Sequence, residues 1–163
     1  MLEPRTVDHA AELFEVFADP ALYEFLDEKP PATIEALRQT LARSESRLSP
    51  DGSQHWLNWI VRDEAGNIAG NVQATVYADL ETNVAYVFGQ KFWGRGIASA
   101  AVAKMVDIVA REHGVKHFFV VAEHANVRST QLAKRLGFTE APPEVVARKH
   151  LTETEIVLQK VLA

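Results

Sequence analysis

The segment QKFWGRGIASAAV, residues 90–102, places a glycine on each side of an arginine immediately before a helical pattern. The first turn of a helix exposes backbone N–H groups without internal partners, and the helix dipole favours negative charge there. Gly94 and Gly96 keep side chains away from that backbone and permit positive φ, while Lys91 and Arg95 add positive charge. The pattern indicates a diphosphate site, with an ordinary strand-to-helix turn as the alternative.

Two other phosphate-binding loops do not fit these residues. The dinucleotide fingerprint requires a third glycine three positions after Gly96, where Ser99 stands, and no Gly-Lys-Ser/Thr sequence follows. The preceding strand-like run, NVAYVF, also belongs to a predicted antiparallel meander, whereas both of those loops follow strands of parallel sheets. The sequence therefore excludes both nucleotide-binding motifs.

The elements before this loop are predicted to be helical. The first helix covers residues 8–18, with Asp8 as its N-cap. A short second helix begins with Asp19 at the cap and Pro20 at the first position. A third helix follows a Thr33 cap. Its apolar stripe consists of Ile34, Leu37, Leu41 and Leu48.

The remainder of the chain alternates strands and helices. The predicted order is a three-strand antiparallel meander (55–62, 68–79 and 83–88), a helix (97–112), a strand (115–123), a helix (126–138) and a final strand (153–162). The buried strand at 115–123 can pair in parallel with the meander only through a crossover that contains the central helix. This order predicts an α+β fold with a mixed sheet.

Composition limits the possible functions. The chain has 163 residues, a formal charge of −5 and no cysteine, so we expect one domain without a thiolate metal site or an acyl-cysteine intermediate. No basic segment indicates nucleic-acid binding, and no targeting or membrane-spanning segment is visible, which favours a cytoplasmic protein. His113 and His117 are four residues apart, but Gly114 separates them, so we expect no metal site.

The glycine loop and a later segment together resemble one protein family. KFWGRGIAS is similar to the Gln/Arg-x-x-Gly-x-Gly/Ala signature of the GNAT N-acetyltransferases, with Lys91 in place of the first residue. Farther along, NVRSTQLAKRLGF resembles the N-x-x-S-x-x-x-x-x-x-G-F segment of the same family. Residues 8–26 are similar to the helical entry of the ribosomal-protein-alanine acetyltransferase branch. The resemblance spans nearly the whole chain, which implies a single acetyltransferase domain over residues 1–163.

This resemblance implies a mostly antiparallel sheet with helices on both faces and a splayed pair of parallel strands between which acetyl-CoA lies. The backbone of Val87 and Phe88 is then expected to pair with the pantetheine arm, and an amide near them to polarise the thioester carbonyl. Asn126 is expected either to cap the following helix or to contact the CoA arm. The implied diphosphate site consists of Lys91, Gly94, Arg95, Gly96, Ile97, Ala98 and Ser99.

The resemblance also implies direct transfer of the acetyl group to an amine in a ternary complex. Ser129 lies at the family position near the sulfur and is our candidate general acid, because the tyrosine that many relatives carry four residues later is Ala133 here. Glu123 is the first choice of general base, ahead of His124, Tyr86 and Gln73. An α-amino group, with a pKa of ~7.7 to 8.0, requires only a weak base, unlike a lysine near ~10.4.

Three functional hypotheses remain at this point. The first is an acetyl-CoA-dependent N-acetyltransferase that acts on a protein N-terminus or a small amine, without a metal. The sequence itself does not indicate the oligomeric state, and the resemblance implies a homodimer only as the common state of the family. The second is a CoA-binding sensor or scaffold without catalysis, which Lys91 and Ala133 favour. The third is an interaction protein with an ordinary glycine turn.

Overall fold

All strands of the chain belong to one sheet in the computed structural model, which describes all 163 residues. The strands are β1 Leu2–Pro4, β2 His55–Arg62, β3 Ile68–Val76, β4 Glu81–Phe88, β5 His117–Glu123, β6 Thr139–Glu140 and β7 Glu155–Val161. Their order in the sheet is β1-β2-β3-β4-β5-β7-β6, and every neighbouring pair is antiparallel except β4 and β5. The predicted α+β fold with one parallel crossover is confirmed.

Five α-helices cover the sheet. They are α1 Ala10–Phe17, α2 Ile34–Ala42, α3 Ile97–His113, α4 Val127–Arg135 and α5 Pro143–Val146. Short 3₁₀ turns lie at Val7–His9, Pro20–Tyr23 and Gln90–Phe92. None of the helices has the length and apolar character needed to cross a bilayer.

The two faces of the sheet bury different apolar clusters, because successive side chains of a strand point to opposite sides. Val102 and Met105 of α3 and Leu132 of α4 pack in one cluster with Phe118 of β5. The next residue of the same strand, Phe119, packs on the other face with residues of α5 and β7. A further cluster on β2 and β3 is formed by Ala10, Leu13, Leu37, Leu41, Ile60 and Ile68. Helices therefore flank both faces, as predicted.

The N-terminal helices differ from the prediction in two places. The helix that was predicted to begin at an Asp8 cap is entered through a 3₁₀ turn capped by Thr6, whose backbone N–H donates to His9 Nδ1 at 2.9 Å. The third helix ends at Ala42, not near Leu48; the chain continues in turns to Arg47, which has a φ of 63°, and Leu48 then forms a β-bridge to His55. Leu48 and Ile34 are each 39% exposed, so only Leu37 and Leu41 of the predicted stripe are buried.

The parallel strands β4 and β5 are paired over only part of their length. Their register runs from Glu81 opposite His117 to Asn83 opposite Phe119 and then stops. Beyond Asn83, β4 remains paired with β3 and β5 remains paired with β7, so each half of the sheet continues without the other. The two strands therefore separate toward their carboxyl ends, and the splay expected from the resemblance is present.

Gly70 on β3 allows a close approach of β4 at the open end of the splay. A Cβ atom at this position would lie 2.2 Å from the Val87 carbonyl oxygen and 2.9 Å from Phe88 Cα, both of which are backbone atoms. We expect Gly70→Ala to lower the free energy of unfolding in urea by about 1–3 kcal/mol, because β4 must move. Gly89→Ala is the matched control, since its Cβ would meet only side chains of Phe92 and Val16 at 3.3 Å. Equal losses in the two variants would contradict this explanation.

Candidate active site

The loop between β4 and α3 presents a continuous row of unpaired backbone donors. None of the six N–H groups from Gly94 to Ser99 donates a hydrogen bond within the chain; the first bond of α3 runs from the Ala100 N–H to the Gly96 carbonyl. Gly94 and Gly96 have φ angles of 72° and 76°, and no atom lies within 4 Å of the Cβ that either would carry. Successive amides in this conformation form an anion-binding concavity at a helix N-terminus, so the loop fits a diphosphate.

Two cations accompany these amides. Lys91 Nζ lies 5.0 Å and Arg95 Cζ 5.6 Å from the centroid of the buried Phe92 ring. Neither side chain forms an ion pair with a carboxylate, so both charges remain available to an anion. Phe92 thus positions both predicted cations beside the same loop.

The ladder between β3 and β4 determines which backbone groups face the splay. The Gly89 N–H donates to the Ala69 carbonyl at 2.9 Å, and at the other end the Tyr77 N–H donates to the Glu81 carbonyl at 3.0 Å. Hydrogen-bonded pairs alternate with non-hydrogen-bonded pairs in an antiparallel ladder. Counting from these two bonds, Val87 forms a hydrogen-bonded pair with Asn71, so its backbone N–H and C=O groups point toward β3. The backbone groups of Tyr86 and Phe88 face the opposite side, where β5 has separated.

This alternation changes which residues of β4 are expected to pair with the pantetheine arm. The Val87 backbone is committed to β3, so pairing with an extended ligand falls to Tyr86 and Phe88. The Phe88 carbonyl already accepts a hydrogen bond of 2.8 Å from Trp93 Nε1, which leaves the Phe88 N–H as its open group. Sequence alternation alone did not reveal this, since the register of β4 with β3 was unknown.

Two cavities lie along the splay. The apolar cavity, which also includes Ala98 of the first turn of α3, is lined mainly by Leu22, Phe25, Tyr86, Phe88, Trp93 and Leu132. The acidic cavity is lined by residues that include Asp27, Val84, Val121, Glu123 and Glu155. Both cavities are lined by Phe25, Leu26, Tyr86, Asn126 and Ser129. These shared residues therefore lie where the two cavities adjoin, and the apolar cavity connects this point with the phosphate loop.

Tyr86, Asn126 and Ser129 form one hydrogen-bonded group at this junction. Asn126 caps α4, and its Oδ1 accepts from the Ser129 N–H at 3.2 Å, so the capping role expected for it is present. The Tyr86 hydroxyl donates to the Ser129 carbonyl at 2.8 Å, and Ser129 Oγ donates to the Tyr86 hydroxyl at 3.1 Å. Burial raises the pKa of Tyr86, although the hydrogen bond from Ser129 and the charge of Arg135 act in the opposite direction.

Glu123 ends β5 in the wall of the acidic cavity. Its carboxylate has no hydrogen-bond or ion-pair partner within the chain, and Glu155 of β7 lies directly opposite it in the ladder. Two like charges directly opposite each other destabilise the pairing of the two strands at that position. The arrangement leaves Glu123 free to accept a proton from a ligand in this cavity.

Two side chains at the mouth of the apolar cavity were not singled out from the sequence. Arg128 stacks on Trp93, with Cζ 3.4 Å from the ring centroid, and both line the cavity. The sequence contains no signal for this contact, since the two residues belong to separate motifs.

No group of three or more histidine, aspartate or glutamate side chains is arranged to hold a metal ion. His113 and His117 are separated in the structure. The His113 ring packs against His55 with centroids 4.8 Å apart, whereas His117 Nε2 is hydrogen-bonded to Gln159 Oε1 at 2.9 Å.

Comparisons with known proteins agree with this geometry. A sequence profile described as the acetyltransferase (GNAT) domain matches residues 1–139. A search of curated protein sequences gives no match. The structure of a ribosomal-protein-S5-alanine acetyltransferase from Vibrio fischeri superposes with a TM-score of 0.77 at 19% identity, covering 98% of this chain and 91% of that one.

Two further solved structures contain ligands. The spermidine N-acetyltransferase from Vibrio cholerae, in complex with CoA and spermine, has a TM-score of 0.76 at 13% identity and covers 99% of this chain and 94% of that one. The microcin C7 self-immunity acetyltransferase MccE, in complex with acetyl-CoA and AMP, has a TM-score of 0.79 at 19% identity, with coverages of 99% and 91%. Identities this low support the shared fold alone. Because the profile covers most of the sequence, the chain belongs to the GNAT acetyltransferase family.

Proposed function

We infer that residues 1–163 form one N-acetyltransferase domain, which moves the acetyl group of acetyl-CoA directly to a primary amine in a ternary complex. The observation that carries this inference is the row of six unpaired amides from Gly94 to Ser99, in a segment whose Ala98 lines the apolar cavity between the splayed strands. Acetyl-CoA supplies a thioester-activated acetyl group. The absence of cysteine from the sequence supports direct transfer over an acyl-cysteine route.

Different residues along the splay bind the diphosphate, bind the pantetheine arm and transfer protons. The amides from Gly94 to Ser99, with Lys91 and Arg95, bind the diphosphate. The open N–H groups of Tyr86 and Phe88 bind the pantetheine arm as an added strand would. Asn126 and Ser129 line the point where the two cavities adjoin, near the expected position of the sulfur. Ser129 belongs to the group of side chains that donates a proton to this sulfur. Glu123 accepts the proton that the amine loses, directly or through a water molecule.

The acceptor is a primary amine, either a protein N-terminal α-amine or a small molecule. Two of the structural neighbours are named for their acceptors, a ribosomal-protein alanine and spermidine. The acidic cavity is the acceptor side of the site in this proposal, because Glu123 lines it. A cytoplasmic location and a homodimer remain part of the same proposal, and sedimentation velocity would measure the oligomeric state.

A catalytically inactive CoA-binding module is the second candidate. It is favoured by Lys91 at the first position of the family signature and by Ala133 in place of the tyrosine of many relatives. This candidate and the enzyme share the cofactor site and differ only in turnover.

Calorimetric titration and a turnover assay separate these candidates. We expect saturable acetyl-CoA binding and release of the CoA thiol when a panel of peptides and small amines is supplied. Binding without thiol release across the panel would favour the inactive module. The absence of binding at millimolar acetyl-CoA would reject both candidates.

A further inference from the structure

The hydroxyl of Tyr86 lies at the junction of the two cavities. Tyr86 lines both the apolar and the acidic cavity and is largely buried there. The chain has only two other tyrosines, and neither lines either cavity: the Tyr23 hydroxyl donates to the Phe17 carbonyl, and the Tyr77 hydroxyl accepts from Asn83. Tyr86 is therefore the only phenol available to both sides of the site.

The hydrogen bonds around this hydroxyl have a defined direction. A carbonyl oxygen only accepts, so the single proton of Tyr86 points to the Ser129 carbonyl at 2.8 Å. The 3.1 Å bond between the two hydroxyls must then be donated by Ser129 Oγ. Ser129 Oγ thus donates to the Tyr86 hydroxyl, and the Tyr86 proton can be redirected by rotation about its C–O bond. The Ser129 hydrogen bond would remain and stabilise the tyrosine oxygen after the proton has left.

We propose that Tyr86 Oη, supported by Ser129 Oγ, is the proton donor to the sulfur that leaves as CoA. The inference rests on the proposed acetyltransferase function. In the balanced step, the amine nitrogen forms a bond to the acetyl carbon, the C–S bond breaks, and its electron pair stays on sulfur. Tyr86 Oη gives its proton to that sulfur. The proton that the nitrogen loses passes to Glu123 or water, and Tyr86 is reprotonated from solvent through Ser129.

Charged groups lie on the elements packed around this hydroxyl. Glu123 of β5, Glu155 of β7 and Asp27 of the segment before α2 line the acidic cavity, and Arg128 and Arg135 belong to α4. Burial, the largest influence, raises the pKa of Tyr86 above its ordinary value. A raised pKa favours the protonated phenol, which is the form that a proton donor requires.

The first test compares single-turnover rates and cofactor affinities. We expect Tyr86→Phe to lower the rate by at least about tenfold, since a positioned acid contributes on this scale or more. Its acetyl-CoA affinity should stay near normal, because the backbone N–H of residue 86 is retained. Ser129→Ala should lower the rate by less. Tyr77→Phe is the matched control and should leave the rate unchanged. A fall smaller than about tenfold for Tyr86→Phe overturns the proposal.

A second test identifies the acid by its own ionisation. Incorporation of a fluorinated, more acidic tyrosine at position 86 should move the high-pH loss of activity to lower pH. The sign follows from the role, because an acid is lost when the pH exceeds its pKa. A high-pH limb that does not move in the fluorinated protein overturns the assignment even if Tyr86→Phe is slow.

A third test requires no turnover. A thiol ionises near pH ~8.5, so CoA carries a thiolate at higher pH, and Tyr86 can donate a hydrogen bond to it. Calorimetry should show that raising the pH above this value weakens CoA binding in Tyr86→Phe relative to the unmodified protein, while acetyl-CoA binding remains equal in the two. Identical CoA profiles overturn the proposal. Loss of acetyl-CoA binding by the unmodified protein would instead refute the proposed function itself.

Discussion

Replacement of Gly96 by aspartate should weaken acetyl-CoA binding by about a hundredfold or more. The six unpaired amides from Gly94 to Ser99 are the main feature offered to the diphosphate. Hydrogen bonds to a charged group contribute about 1.5–3 kcal/mol each, so the loss of two accounts for a factor of this size. The introduced carboxylate would lie in the open space above residue 96, where it would repel the phosphates and compete for the same amides. Isothermal titration calorimetry measures the change.

Gly52→Asp is the matched control for this variant. Gly52 has a φ of 71°, close to the 76° of Gly96, and no atom lies within 4 Å of its Cβ position. Both substitutions therefore impose the same left-handed strain of about 1–2 kcal/mol on the folded state. Only Gly96→Asp should affect the cofactor. Equal affinities for the two variants would show that the loop does not bind the diphosphate.

Conversion of Glu123 to glutamine should slow turnover at neutral pH by about a hundredfold, which is the scale of general base catalysis. Glutamine keeps the size and polarity of the side chain but cannot accept the amine proton. The loss should become smaller as the pH rises, because an increasing fraction of the acceptor is then already neutral. A pH–rate profile of the best acceptor from the amine panel provides the measurement.

Glu155→Gln provides the comparison for this second variant. Glu155 lies directly opposite Glu123 and lines the same cavity, so both substitutions remove one negative charge from one place. The Glu155 carboxylate is already engaged by the Thr152 N–H at 2.9 Å. A similar slowing in both variants would assign the effect to charge and not to proton transfer, and Glu123 would lose its role as base.

Local sequence signals predicted the positive-φ glycines and the exposed amides before α3 because the relevant groups belong to the backbone of one short segment. Gly94, Gly96 and the start of α3 are consecutive, and their conformation depends mainly on residue type and helix capping. The α1–α2 region was predicted less well. The apolar spacing continued to Leu48, but the turn at Arg47 and the bridge to His55 depend on a strand that the helical pattern does not contain.

The region around Ser129 shows the same limit. Ser129 was predicted from its motif, but its hydroxyl donates to Tyr86, which lies 43 residues earlier in the chain. Val87 and Phe88 were treated alike from sequence, yet the register with β3 directs their backbone groups to opposite sides. The stacking of Arg128 on Trp93 likewise joins two motifs across the mouth of a cavity.

The sequence by itself determined the family, the order of the elements and the glycine turn before α3, because periodicity, glycines and short motifs act over a few neighbouring residues. Only the tertiary structure decided which strand edge is open, which side chains line the two cavities and which hydroxyl faces both of them. These features depend on strand register and on the early separation of β4 from β5. Register and separation arise from packing between distant segments, so no local pattern encodes them.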